Sequence, residues 1–187
     1  MKEKTSARLM VIGGTWEQEP LIKAAKEMGC YVLATDGDEK SAGLRHADET
    51  KILDPRDLPQ ALKIARDFDP DGITADECDY SHYAAVYASV QLGLPNAGLS
   101  AAQLTTNKLW MRLRCRDHHI TQPRFFPCHT IEEATSAADV IGWPVIVKPV
   151  DNRGAFGVNV AHDEGALAAA FLDALMNAHS REVIVEA

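Results

Sequence analysis

Hydrophobic and polar positions follow two alternating rhythms along the first half of the chain. Short runs of strand character at Arg8–Ile12, 31–35, 52–53 and 72–75 are rich in β-branched or aliphatic residues. Between them, apolar residues recur at helical spacing. Leu21, Ile22, Ala25 and Met28 form one stripe, ended by Gly29. Leu58, Ala61, Leu62 and Ala65 form a second, which stops near Asp69-Pro70, and a third helix over 83–92 ends at Gly93. Gly13-Gly14 turns the first strand into its helix, and Thr15 and Gln18 stand at capping-box spacing. Strands alternating with helices predict a parallel sheet with right-handed crossovers.

After Leu94-Pro95-Asn96-Ala97-Gly98 the order changes. The pattern predicts a helix over 100–116, a strand over 124–127 and a helix over Ile131–Ile141, the last opened by a Thr130/Glu133 capping box. A strand, loop and strand over 144–161 follow, then an alanine-rich helix over 164–178 and a final strand over 182–187. This half reads as α+β with antiparallel pairing. The two domains expected are 1–99 and 100–187.

Composition narrows the choice of partners. At 187 residues and 46% hydrophobic, the chain can bury a real core. A formal charge of -8 argues against nucleic acid, which demands a basic face. No apolar run suits a membrane span, and the charged start, Met1 to Ser6, leads toward a strand without a signal peptide's apolar region. Cys30, Cys78, Cys115 and Cys128 are scattered, with no paired spacing, and read as reduced thiols of a cytoplasmic protein. His118-His119 is the one histidine cluster, and adjacent helical residues do not face one metal.

The candidate chemistry begins at Lys148, a charge inside the apolar run Pro144 to Val150. An unpaired ammonium there costs several kcal/mol. A polyanion would supply a partner worth about 4 kcal/mol per unit charge at about 4 Å and an effective dielectric near 20. The loop Asp151 to Val158 follows at once, with Gly154 and Gly157 allowing close approach of a phosphate to the backbone. A snorkelling lysine before a hairpin is the other account. Lys108 lies in the first turn of a helix behind Asn107, where the helix dipole disfavours a cation unless an anion is bound. Asp76-Glu77-Cys78-Asp79 follows the fourth strand at the ligand-binding edge, or is a solvated charge run. Gly13-Gly14 with Asp36 only partly matches a dinucleotide fingerprint, since Glu17 and Gln18 fill the later positions. A turn facing a carboxylate or phosphate substrate is the better account.

Lys108, Lys148, the 151–158 loop and the closing Glu182 to Ala187 strand, in this order, resemble the ATP-grasp superfamily. The front half resembles the Rossmann-like preATP-grasp domain of carbamoyl-phosphate-synthetase-like ligases. The resemblance implies an α/β preATP-grasp domain followed by the first part of an ATP-grasp domain. It implies that Lys108 and Lys148 contact ATP phosphates, that Asn152, Arg153, Gly154, Phe156 and Gly157 lie in the loop folding over them, and that Glu186 and Ala187 meet the adenine. Relatives carry serines and glycines where this loop has Asn152, Arg153 and Phe156, and Asp-Lys where it has Asn107-Lys108. The activity implied is ATP-dependent joining of a carboxylate to an amine or other nucleophile through an acyl phosphate. The family's magnesium ligands lie beyond the adenine-contacting strand, so no metal ligand or catalytic residue is assigned here. The expectation is a truncated or split protein, inactive alone, whose last strand is an exposed edge favouring self-association or association with a missing C-terminal half. A non-catalytic nucleotide- or partner-binding module, and a dinucleotide-dependent oxidoreductase using Gly13-Gly14, are the alternatives.

Overall fold

The structure, a computed structural model, describes residues 6–187, so the start read above lies, up to Thr5, outside the described residues. The chain forms two compact units, Met1–Ala102 and Gln103–Ala187.

The first unit runs β1 (Arg8–Ile12), α1 (Glu19–Glu27), β2 (Tyr31–Asp36), a 3-10 helix (Ala42–His46), β3 (Glu49–Ile52), α2 (Leu58–Phe68), β4 (Gly72–Thr74) and α3 (Asp79–Leu92). Its sheet is parallel throughout, in the order β3-β2-β1-β4. Side chains alternate across it as a strand dictates. Met10, Ile12 and Leu33 pack with Ala61, Ala65, Ala84 and Ala88 of α2 and α3. Val11, Val32 and Ala34 pack with Ile22 and Ala25 of α1 on the other side. Because β4 pairs with β1 on the side away from β2, the winding reverses there, and the crevice at such a point is where open α/β sheets take ligands. Some boundaries differ from expectation. β3 begins at Glu49, ahead of 52–53, because its polar residues carry no apolar alternation, and α3 begins at Asp79, four residues before its apolar stripe.

The later elements are α4 (Leu99–Thr106), α5 (Lys108–Asp117), β5 (Phe125–Cys128), α6 (Ile131–Ile141), β6 (Val145–Pro149), β7 (Asn159–Ala161), α7 (Glu164–Asn177) and β8 (Val183–Glu186). The single helix expected over 100–116 is two helices. Asn107 leaves helical geometry at φ -129°, and its side chain accepts the Trp110 N–H at 2.9 Å, starting a new helix.

In the second unit the strands are antiparallel in the order β5-β8-β6-β7. This corrects the expectation of an exposed final edge: β8 lies inside the sheet, laddered to β5 and β6, and the outer strands are β5 and β7. The open-edge reason for self-association therefore falls away. Val145, Val147, Val183 and Val185 face α6 and α7 in an apolar core with Ala138, Leu167 and Phe171. The opposite face carries Ile184, packed with Leu109, Val150, Leu113 and Phe125 where α5 lies against the sheet. Lys148 and Glu186 belong to this second face by strand parity.

Candidate functional site

The start of α5 is tied to the end of β6. The Lys108 backbone N–H donates to Val150 O at 2.7 Å, and Lys108 Nζ donates to Asn152 O at 2.6 Å. The sequence therefore puts Lys108 at the root of the 151–158 loop, where a carbonyl offsets some of the dipole's penalty on the cation.

At the centre of the second face is Glu186, only 2% exposed. Arg112 of α5 grips it with a fork, Nε to Oε1 at 2.8 Å and Nη2 to Oε2 at 3.0 Å. Lys148 Nζ lies 2.7 Å from Oε2. One expectation is corrected here: Lys148 is not short of a partner, since Glu186 neutralises it. Burial pushes the Glu186 carboxyl up, but the bonds from Arg112 and Lys148 outweigh this and hold it below the ordinary carboxylate range. The Arg112 guanidinium is raised in turn, chiefly by its bond to Glu186. A carboxylate offers about four lone-pair directions, and these contacts occupy three of them among the described residues.

Arg112 escaped the sequence reading. The available signal was its position beside Leu109 and Leu113 on the buried stripe of α5, where a charge needs a counter-charge.

The loop is anchored at both ends. Asp151 accepts the N–H groups of His179 and Ser180 at 3.0 and 2.8 Å, and Asn152 Nδ2 donates to Asn177 O at 2.8 Å. Gly157 is buried at φ +72°, and a Cβ there would lie 2.8 Å from Asn177 Cβ. Between the anchors Gly154, Ala155 and Phe156 are exposed, and Arg153 is half-buried. The Ala187 N–H donates to Arg124 O at 3.0 Å, so that donor is already committed.

In the first unit, the Gly13-Gly14 turn is filled by the chain itself. Gly14 N–H donates to Asp36 Oδ2 at 2.9 Å, Gly13 N–H to Thr35 O at 2.8 Å, and Thr15 N–H to Gln18 Oε1 at 3.1 Å. The expected seat for an external anion, or for a dinucleotide, is thus taken by Asp36 and by Gln18. The Thr15/Gln18 pair forms, but α1 starts only at Glu19. Gln18 Nε2 reaches Asp76 O at 3.0 Å. Asp76 Oδ1 is buried without a hydrogen-bond partner, and burial, with Glu77 and Glu17 nearby, raises its carboxyl. Such an oxygen is a ready acceptor for an amine.

Among the described residues, no group of three or more His, Cys, Asp or Glu side chains forms a metal-ligand set. No helix among them is long and apolar enough to cross a membrane. A cavity of about 490 Å³ lined by Phe126, Glu132, Glu133 and Val140 shares no residue with the Glu186 cluster.

Residues 112–187 match the family model described as carbamoyl-phosphate synthase L chain, ATP binding domain. A formate-dependent phosphoribosylglycinamide formyltransferase of Prochlorococcus marinus (strain MIT 9313) is 27% identical over 187 residues, taking in 95% of this chain and 47% of that protein. Among solved structures, carboxyaminoimidazole ribonucleotide synthase from Aspergillus clavatus complexed with ATP superposes with a TM-score of 0.80 at 17% identity, over 97% of this chain and 47% of that one. The biotin carboxylase domain of Hydrogenobacter thermophilus 2-oxoglutarate carboxylase, in complex with MgADP and bicarbonate, gives 0.72 at 16% identity, over 95% and 43%. The chain spans about half the length of the curated relatives it matches.

Proposed function

We propose, on the premise that residues 112–187 belong to the family of carbamoyl-phosphate synthase L-chain ATP-binding domains, that this chain supplies the ATP-binding part of an ATP-dependent carboxylate–amine or carboxylate–nucleophile ligase. The observation that carries the proposal is the buried Glu186 with Lys148 and Arg112 on it, on the sheet face opposite the helices α6 and α7. Glu186 Oε1 accepts the adenine amino group, and Ala187 borders the ring. Lys148 and Lys108 take the phosphates, with a triphosphate outcompeting one carboxylate for Lys148 by its greater charge. Asn152, Arg153, Gly154, Phe156 and Gly157 belong to the loop that closes over the phosphates, where Arg153 pairs with an oxygen and Phe156 shields it from water.

ATP so held donates its terminal phosphoryl group to a carboxylate, and an amine then displaces phosphate from the acyl phosphate. Magnesium belongs to such chemistry because it neutralises the phosphates. The cluster here consists of cations and a carboxylate already committed to them, so these residues do not fit a magnesium site.

Calorimetry of the chain with ATP and with NAD, each with and without magnesium, tests the proposal. ATP binding is expected, weakened about tenfold or more in Lys148→Met and in Lys108→Met. NAD binding, or ATP binding untouched by both substitutions, would overturn it.

A further inference from the structure

We infer that Arg112 is the positioning residue of this site: it keeps Glu186 charged and aimed when Lys148 leaves it for a nucleotide phosphate. The inference rests on the ATP proposal above. Lys148 is a point charge on a flexible stem, with its Nζ 2.7 Å from Glu186 Oε2. Arg112 instead spans both oxygens, cannot be deprotonated, and has a planar fork that sets the plane of the carboxylate.

The backbone of Arg112 is itself held, with its carbonyl accepting Gln122 Nε2 at 2.9 Å. Leu109 and Leu113 on the same helix pack against Ile184 and Phe125. The charged groups facing Glu186 are Arg112 from α5 and Lys148 from β6. Phe125, its neighbour on β5, brings no charge, and Glu182 of the approach to β8 pairs with His129 instead. Cys115 lies near Arg112 and not on the carboxylate.

Consider Lys148 swinging to a phosphate with Arg112 absent. A buried carboxylate would be stranded, and it would take up a proton rather than stay charged. Nucleotide binding would then be linked to proton uptake, which Arg112 prevents in the native chain. Arg112 thereby frees Lys148 to serve two anions in turn.

Two measurements test this. In Lys148→Met chain labelled with 13C-glutamate, the Glu186 carboxyl should stay ionised at neutral pH by NMR, because Arg112 remains on it. Titration of Glu186 near neutrality in that variant overturns the inference whether or not ATP binds. In the second, calorimetry in buffers of different ionisation enthalpy compares wild type, Arg112→Met and Arg112→Lys. Wild type should bind ATP without proton uptake near neutral pH. Arg112→Met should take up close to one proton, its affinity rising up to about tenfold per pH unit lowered. Arg112→Lys, which restores charge without the fork, should fall between them. An Arg112→Met variant with wild-type proton linkage overturns the inference. Wild-type chain that binds no ATP, with Glu186 still ionised in Lys148→Met, overturns the ATP proposal and leaves Arg112's hold on Glu186 supported.

Discussion

Alanine at Gly157 tests how the 151–158 loop is seated. Gly157 sits at φ +72°, and an L side chain in left-handed geometry costs about 1–2 kcal/mol. The new Cβ would also stand 2.8 Å from Asn177 Cβ, 3.2 Å from Pro149 Cδ and 3.3 Å from Ala174 Cα. Those atoms belong to α7 and to the end of β6, not to flexible side-chain tips, so overpacking adds about 1–3 kcal/mol. The total is about 2–5 kcal/mol. Gly154→Ala is the control. Gly154 has φ +59°, but its added Cβ would meet only the Phe156 ring at 3.6 and 3.7 Å, which is ordinary contact. It should cost only the backbone term, about 1–2 kcal/mol. Urea unfolding of both variants, with slopes checked for constancy, measures the difference. Equal midpoints would falsify the claim that Gly157 is required by packing against α7.

Two further outcomes follow from the second unit. Because the native Glu186 carboxyl lies below its ordinary value of 4.5, the stability it contributes is present above about pH 4.5. That stability is lost as pH falls through the depressed native value, so melting temperature should fall on acidification, and a flat profile from pH 6 to 3 would contradict the ion-paired geometry. Asn107→Ala removes the acceptor of the Trp110 N–H and should cost about 1 kcal/mol, read by denaturant unfolding. No loss would mean that α5 does not depend on that cap.

Local chemistry was legible in the sequence where it acts over a few residues. Thr130 caps α6 by accepting the Glu133 N–H at 3.3 Å, as the spacing implied. Strands alternating with helical stripes led to the parallel sheet, and the change of order after Gly98 led to the antiparallel one. Lys148 stood out because a charge breaks an apolar run. Arg112 did not, since it meets Glu186 across 74 positions of chain and no local pattern reports such a meeting. The same limit explains β8. Strand order within a sheet is decided by which faces bury best together, and nothing in residues 182–187 tells a middle strand from an outer one. At Gly13-Gly14 the turn was visible, but not that Asp36, from the end of β2, would fill it.

The place of β8 has a consequence for how the second unit assembles. β5 and β6 do not touch through a ladder of their own, so without Val183–Glu186 the sheet separates into a lone strand and the β6–β7 hairpin. An isolated hairpin is barely stable in water. The four residues act as a keystone: the arch cannot stand half-built, and a proteolytic nick that lets β8 slip out should collapse the unit in one step.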